Sequence, residues 1–501
     1  MPNRFYLCKM QVQKFLEAVS DMGRYRCRVA VKYLQSLAAN KNWKKPVWLC
    51  KSIHNDYTYS NLTKLLDLWV VSSVTIHQLL SDYLPSLRVL KNGRLYHMLA
   101  HDTTKMLKNH SPCLKDKCYL YANNPIGGKK SLCIGYLLLC LHIIGENGAA
   151  PVLSMDIETL DKGQNEQIVS QLSAALTNKD LNLLQQLCLL VADSAYGKAK
   201  FIAPMYSYDN LVTITRVRSG TKVWSQYKGE ANKKGTPRIF GQKYYLCHTT
   251  RTKQYKNQPE GKLQTSISEL TPSCTHQSEV VLGNGRSAVL RLTRWNDMMF
   301  RTKQGNNMKD KPLDIICVVL EDAVTGKRVF EREMYLAVSG KEKSAVDIEE
   351  AQQCYARRYD VEGCYRFKKQ TLMLEGLQSP CLEHQKTWLK MVQLSYWLLY
   401  LAAYEVKQID CPEWQRYLAQ NKSIPEDSTT PLRIAQAHKG IDGLFSTLPE
   451  LPPKSQSHKK AGGRQKGDKM PERPTYDPAK KGKQEAKKGE ETANKATEAS
   501  K

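Results

Sequence analysis

YARRYDVEGCYRFKKQ, residues 355–370, is the most informative stretch of the sequence for the fold of the chain. It carries four polar residues at fixed spacing. These residues are Tyr355, Arg358, Glu362 and Lys369. An α-helix turns by about 100° per residue, so all four positions fall within roughly 60° of one another. Their shared face holds a carboxylate, two cations and a phenol, which suits binding of phosphate beside a metal ion better than packing of a core.

Two other interpretations of this stretch remain open. If Asp360 caps the start of a second helix, Glu362 and Lys369 still share a face, because they lie two turns apart and about 20° from each other. Charged helical faces are also common on solvated surfaces, where ion pairs connect neighbouring side chains. Helix geometry alone does not choose between a binding face and such a surface.

Two aspartates upstream follow apolar runs. Asp102 lies in RLYHMLAHDTTK, residues 94–105, and Asp193 ends the apolar part of LNLLQQLCLLVADSAYG, residues 181–197. An acid at the carboxyl end of a buried strand projects toward the sheet edge where α/β folds bind ligands. Both residues are therefore candidate metal ligands. The alternatives are an Asx turn for the first and a nucleotide-binding fold for the second, although no glycine fingerprint accompanies it.

The spacing Tyr-x2-Arg-x3-Glu-x6-Lys resembles the YREK signature of bacterial insertion-sequence transposases of the DDE type. The resemblance extends over about residues 90–410 and implies an α/β fold with a ribonuclease-H-like core. It also implies that Asp102, Asp193 and Glu362 are the catalytic residues and hold two divalent cations, magnesium or manganese. Oxygen-only ligands favour these hard cations over zinc.

The same resemblance implies a set of DNA-binding residues. Tyr355, Arg358 and Lys369 would grip phosphates near the cut. In relatives, an aromatic residue near the end of a β insertion stacks on a base flipped out of the duplex, and Tyr335 or Trp295 is the candidate here. Burial in a hydrophobic core is the commoner fate of such aromatic residues, and this alternative stays open.

The expected activity is cleavage at the ends of an insertion element, followed by joining of the free 3′-OH ends to target DNA. Hairpin ends are an expected intermediate in YREK relatives. Cutting both ends of an element implies a homodimer on double-stranded DNA. Two alternatives remain: a metal-dependent nuclease that cuts without joining, and a catalytically silent DNA-binding protein derived from a transposase.

Periodicity and composition divide the chain into six predicted regions. They are a helical DNA-binding domain at 1–93, the first part of the catalytic core at 94–219, an antiparallel β insertion at 220–339, the second part of the core with the third acid at 340–410, a C-terminal helical region at 411–450, and a disordered basic tail at 451–501. Arg216 and Arg218, on a predicted strand at 210–219, alternate onto one side and are candidate DNA contacts.

The charge of the chain indicates a polyanionic partner. Seventy-five Lys and Arg residues against 48 Asp and Glu give a net charge of +27. Nucleic acid and anionic membrane both match such a charge. The longest apolar run, SLCIGYLLLCLHII at 131–144, is too short to span a bilayer and is predicted to form buried strands. With no signal peptide evident, the expected location is the cytoplasm, in association with the nucleoid.

Overall fold

The fold is taken from a computed structural model of the 501-residue chain. The structure describes residues 11–22, 26–41, 43–108, 111, 113–121, 132–161, 163–229, 239–255, 258–282, 285–301, 308, 310–406, 431–449 and 474–478. The predictions made for 411–430 and for nearly all of the tail at 451–501 lie outside the described residues.

Fifteen strands are found in the described part of the chain. They are β1 Arg88–Val89, β2 Leu95–Leu107, β3 Cys118–Tyr121, β4 Leu132–Ile143, β5 Val152–Ile157, β6 Leu187–Ala192, β7 Leu211–Val217, β8 Lys222–Gln226, β9 Phe240–Tyr245, β10 Arg251–Tyr255, β11 Gln258–Gln264, β12 Cys274–Val281, β13 Ser287–Met298, β14 Leu313–Asp322 and β15 Met334–Ser339. Eleven of them form one mixed sheet, in which β12-β13-β14-β15-β7-β6-β2-β4-β3 are neighbours, while β1 pairs with β2 and β5 with β4.

The central five strands have the order β5-β4-β2-β6-β7. Pairing is antiparallel between β5 and β4 and between β4 and β2, and parallel from β2 to β6 and from β6 to β7. Every residue of β6 is buried, as expected for a strand covered on both faces. This mixed sheet fits the ribonuclease-H-like core predicted from the sequence. The apolar run at 131–144 forms the single strand β4 rather than separate strands.

The predicted insertion at 220–339 is antiparallel, but it is not a separate sheet. The strands β8 and β9 form one small sheet and β10 and β11 another. The remaining four, β12 to β15, instead extend the central sheet, because β15 pairs with β7 through Tyr335 opposite Val217 and onward to Ser339 opposite Thr213. Sequence patterns reveal strands but not which distant strand they pair with, so this continuity was missed.

The described helices surround this sheet. They are α1 Gln11–Asp21, α2 Cys27–Ala38, α3 Tyr59–Leu68, α4 Ser73–Ser81, α5 Gln164–Leu176, α6 Ala199–Met205, α7 Ile348–Ala356, α8 Tyr359–Gln370, α9 Leu382–Glu405 and α10 Ile434–Thr447. Short 3₁₀ helices lie at Pro46–Lys51, Leu183–Gln185, Ile267–Glu269 and Lys343–Ala345. The region at 1–93 is helical in its described part, as predicted, except that β1 joins the sheet.

Helix α9 connects the N-terminal helices to the sheet. Its side chains are buried nearly all round, which is typical of a helix inside a core. It packs against α1, α2 and α3 on one side and β5 on another. Gln393 donates hydrogen bonds to the carbonyls of Val152 and Leu153, and Trp397 Nε1 donates to Val152 at 2.7 Å. These side chains satisfy strand carbonyls of β5.

Among the described residues, no helix is long and apolar enough to cross a membrane.

Glu405, at the end of α9, contributes a pH-dependent contact. Its Oε1 accepts a hydrogen bond from the backbone N–H of Val12 at 2.9 Å, and burial raises its pKa from 4.5 to about 7. The folded state therefore keeps a proton that the unfolded state releases between about pH 4.5 and 7. As a result, the free energy of unfolding falls as the pH rises through this window.

We predict that Glu405→Gln removes this pH dependence. The amide oxygen still accepts from Val12, while the cost of burying a charge disappears, so at pH 8 the variant is more stable than the parent by about 3 kcal/mol. The difference shrinks toward zero at pH 5. Denaturant unfolding at both pH values measures it, with Glu383→Gln, an exposed position on the same helix, as the control. A difference that is equal at both pH values contradicts the prediction.

Candidate active site

The two aspartates lie side by side at one end of the parallel strand pair. His101 of β2 is opposite Ala192 of β6, so Asp102 and Asp193 are the next residues on neighbouring strands. Neighbouring strands are about 4.8 Å apart, which places the two acids next to each other. The prediction that the strand ends at Asp102 is wrong, because β2 continues to Leu107 through its antiparallel pairing with β4. The pairing with β6 ends at His101, immediately before Asp102.

The opening stretch forms two helices rather than one. Helix α7 ends at Ala356 and α8 begins at Tyr359, with Arg358 in the N-cap position of the second helix. The prediction of one continuous face is therefore wrong, and the new helix begins one residue before the predicted cap, Asp360. Asp347 is the N-cap of α7 and forms a capping box with Glu350.

Arg358 joins the acids of the site. Its Nη1 lies 3.3 Å from Asp102 Oδ2, and its Nη2 lies 3.2 Å from Glu362 Oε1. Asp193 interacts electrostatically with both Asp102 and Arg358. The structure therefore gathers all three predicted catalytic acids around one buried guanidinium group. Of the two acids that pair with Arg358, Glu362 is the more accessible, with 51% of its side chain exposed against 19% for Asp102.

Burial changes the protonation of Asp102. Burial raises the pKa of Asp102 to about 6, and the nearby charges of Asp193 and Glu362 reinforce the shift. The Thr103 N–H and Arg358 act in the opposite direction. Burial works to lower the pKa of Arg358, but its anionic neighbours outweigh that effect and raise it, so the guanidinium stays charged.

Tyr365 holds the backbone at Asp102, a role that the sequence analysis missed. Its hydroxyl lies 3.0 Å from the Asp102 carbonyl oxygen and 3.2 Å from His142 Nε2. Burial lowers the His142 pKa, so the ring is neutral and donates through Nδ1 to the Ala150 carbonyl. The hydroxyl proton of Tyr365 is therefore shared between two acceptors. A phenol three residues after Glu362 was the available signal, since positions three apart on a helix share a side.

The two tyrosines beside Arg358 differ in exposure. Tyr355 is buried and its ring lies 5.9 Å from the guanidinium carbon, whereas Tyr359 is 55% exposed with its ring 4.8 Å away. Such distances permit cation–π attraction. Tyr359 was not singled out by the sequence analysis, because it lies outside the spacing of the motif.

The other predicted DNA-binding residues differ in exposure and in their partners. Arg216 is exposed on β7, and Lys369 forms an ion pair with Glu375 at 3.3 Å. Tyr335 and Trp295 are both buried, and Trp295 Nε1 donates to the Leu270 carbonyl at 2.8 Å. In this conformation neither ring face is available to a base, so burial does not support the stacking role predicted for them.

The donor set suits a hard divalent cation. Asp102, Asp193 and Glu362 come from a strand, a strand end and a helix, and all supply carboxylate oxygens, the ligands that magnesium and manganese prefer. Within the part of the chain described by the structure, no three His, Cys, Asp or Glu side chains are close enough to hold one ion as they stand. The guanidinium of Arg358 lies between two of the acids instead.

One family model matches this chain. The transposase DDE domain matches residues 139–398, which is more than half of the chain. The matched range includes Asp193 and Glu362 and begins after Asp102. No curated protein sequence matches the chain.

We predict that Arg358→Gln destabilises the protein by about 3 kcal/mol, because it leaves the buried Asp102 carboxylate without its counter-charge. The double variant Arg358→Gln with Asp102→Asn regains more than half of this loss, since the uncompensated charge is gone. Denaturant unfolding at pH 7.5 measures both. Arg357→Gln is the matched control, because Arg357 binds Asp360 on a more exposed part of the same turn. Equal instability of the single and double variants contradicts the predicted coupling.

Proposed function

The chain belongs to the transposase DDE domain family, and we propose that it cuts DNA at the ends of an insertion element and joins the resulting 3′-OH ends to target DNA. The observation that carries this proposal is the convergence of Asp102, Asp193 and Glu362 around Arg358. Three acids placed together at the end of a parallel strand pair and on a helix are costly to stability, and nucleic-acid hydrolysis is a reaction that uses such a cluster.

Each acid has a distinct position in the proposed reaction. Asp102 and Asp193 form the fixed part of the site, because neighbouring strands hold their backbones and Tyr365 anchors the first. Glu362 approaches from α8 and is the more mobile ligand, because it is the most exposed of the two acids paired with Arg358. Two magnesium or manganese ions held by these carboxylates would help to ionise the attacking water and stabilise the leaving oxygen.

Cationic side chains near the acids suit the DNA backbone. Arg358 is fork-shaped and can bind two phosphate oxygens, while Lys369 and Arg216 supply further charge. We propose that these residues, with Tyr355, bind phosphates near the cut and that the ends pass through hairpins. A homodimer on DNA brings both element ends together, and the expected location is the cytoplasm, at the nucleoid.

Purified full-length protein, magnesium and a duplex containing the DNA that flanks the gene test this proposal. We predict cleavage and joining by the parent chain and a loss of at least about 10³-fold in Asp102→Asn, Asp193→Asn and Glu362→Gln, because each change removes a ligand charge. DNA binding persists in all three. The control is Asp360→Asn, two residues before Glu362 and paired with Arg357.

Three outcomes separate the candidate functions. Cleavage with joining supports the proposal, and cleavage without joining indicates a nuclease. A shifted DNA band without cleavage indicates a silent DNA-binding protein derived from a transposase. Activity that survives all three acid substitutions overturns the assignment of the site.

We predict that Arg216→Ala and Lys369→Ala each weaken binding to duplexes of any sequence and reduce the slope of log affinity against log salt by about 1. Each removes one phosphate contact and the counterion release that goes with it. Fluorescence anisotropy over a salt series measures the slope. Lys386→Ala, on the outer face of α9 and paired with Glu383, is the control. A slope unchanged from the control removes that residue from the DNA interface.

A further inference from the structure

The guanidinium of Arg358 occupies the space between two acids that the proposed function assigns to divalent cations. Its two terminal nitrogens each bind one carboxylate oxygen, at 3.3 Å from Asp102 and 3.2 Å from Glu362. Those oxygens cannot bind a cation fully while they accept hydrogen bonds from the arginine. A divalent ion placed among the acids would also be repelled by the guanidinium charge at short range.

We propose that Arg358 is a latch: in the absence of DNA it serves as the counter-ion of the acids, and a DNA phosphate draws it away so that divalent cations can bind. This inference rests on the proposed function, because it assumes that the acids bind cations. It adds that cation binding depends on DNA, a dependence that the acids alone would not produce.

Two polar groups beside the site are poorly paired. Among the described residues, the buried Nε of Arg358 and the buried hydroxyl of Tyr355 have no partner with good hydrogen-bond geometry, although the two side chains interact with each other. Buried donors are rarely left unpaired, so each such group calls for an explanation. A phosphate has several acceptor oxygens and can pair with an arginine fork and a neighbouring hydroxyl at once. These poorly paired groups are therefore consistent with an oxyanion that binds Arg358 once it has left the acids.

The surroundings of Arg358 also allow it to move. The Glu362 contact is on the exposed side of the site, where an incoming phosphate meets it first. The exposed ring of Tyr359 lies 4.8 Å from the guanidinium carbon. A cation–π contact with this ring can stabilise the guanidinium after it has left the acids. Asp102 has fewer alternatives, because it is held by the Thr103 N–H and by Tyr365 at its carbonyl.

Reciprocal coupling between DNA and cations follows from the latch. If DNA tightens cation binding by a given factor, cations tighten DNA binding by the same factor, because both act on one equilibrium. Without Arg358, the acids are open in the free protein, and DNA adds little. The latch would keep the free protein from loading metal, and therefore from cutting, until a phosphate backbone is in place.

The test measures Mn²⁺ binding to the full chain by electron paramagnetic resonance of the free ion, first without DNA. We expect Arg358→Gln to bind Mn²⁺ at least 10-fold more tightly than the parent chain, and Arg357→Gln to stay within 3-fold of it. The second variant removes the same charge next door, so it controls for general electrostatics. Equal Mn²⁺ affinity in the two variants overturns the latch.

A second arm adds a 25-base-pair duplex of arbitrary sequence, which lacks the flanking ends. We expect the duplex to tighten Mn²⁺ binding at least 10-fold in the parent chain and in Arg357→Gln, but less than 3-fold in Arg358→Gln. The double variant Asp102→Asn with Asp193→Asn is measured with the same duplex. It gives the amount of Mn²⁺ that binds to the DNA itself rather than to the acids. Equal tightening in all arginine variants overturns the role of the phosphate.

The outcomes also separate this inference from the proposed function. If, in the presence of the duplex, the double acid variant binds Mn²⁺ as tightly as the parent chain does, the acids are not the cation site and the proposed function fails. If the acids are required but Arg358→Gln is no tighter, only the latch fails. Circular dichroism checks that each variant is folded. If Arg358→Gln does not fold, Arg358→Lys replaces it, because lysine keeps the positive charge but cannot bind two oxygens at once as the guanidinium does. It is expected to bind Mn²⁺ with intermediate affinity.

Discussion

The site depends on the balance between three crowded carboxylates and one guanidinium. Asp102 and Asp193 directly follow the last paired residues of two parallel strands, whose register places them side by side. Glu362 arrives from a helix and adds a third negative charge. Like charges held together destabilise a fold unless cations compensate them, and here Arg358 supplies the compensation from within the chain.

The sheet explains how three carboxylates and a guanidinium can be held together in a buried site. The strands β2 and β6 are buried in the middle of an eleven-stranded sheet, so their backbones are held on both sides. Helix α9 packs the N-terminal helices and β5 into the same hydrophobic core. This large apolar core can offset a local electrostatic cost of a few kcal/mol, as active sites commonly require.

The sequence was most informative where a local pattern decides the structure. Asp193 was predictable because a six-residue buried strand ends immediately before it. Asp102 was identified by its context, although its strand continues, because antiparallel pairing with a distant segment extends β2. The joining of β15 to β7 depends on a similar long-range contact and left no local signal. Tyr365 and Tyr359 were missed because their roles depend on neighbours brought together only by folding.

The break between α7 and α8 gives the motif its geometry. In one continuous helix the four motif residues would share a face. The break turns Tyr355 into the core and places Arg358 at the N-terminus of α8. The terminus of α8 carries a partial positive charge, which favours acidic side chains in the first turn. The Arg358 guanidinium, which can only donate hydrogen bonds, reaches across to Asp102. The two positive features, helix terminus and arginine, thus meet at the point where the three acids converge and where a phosphate would enter.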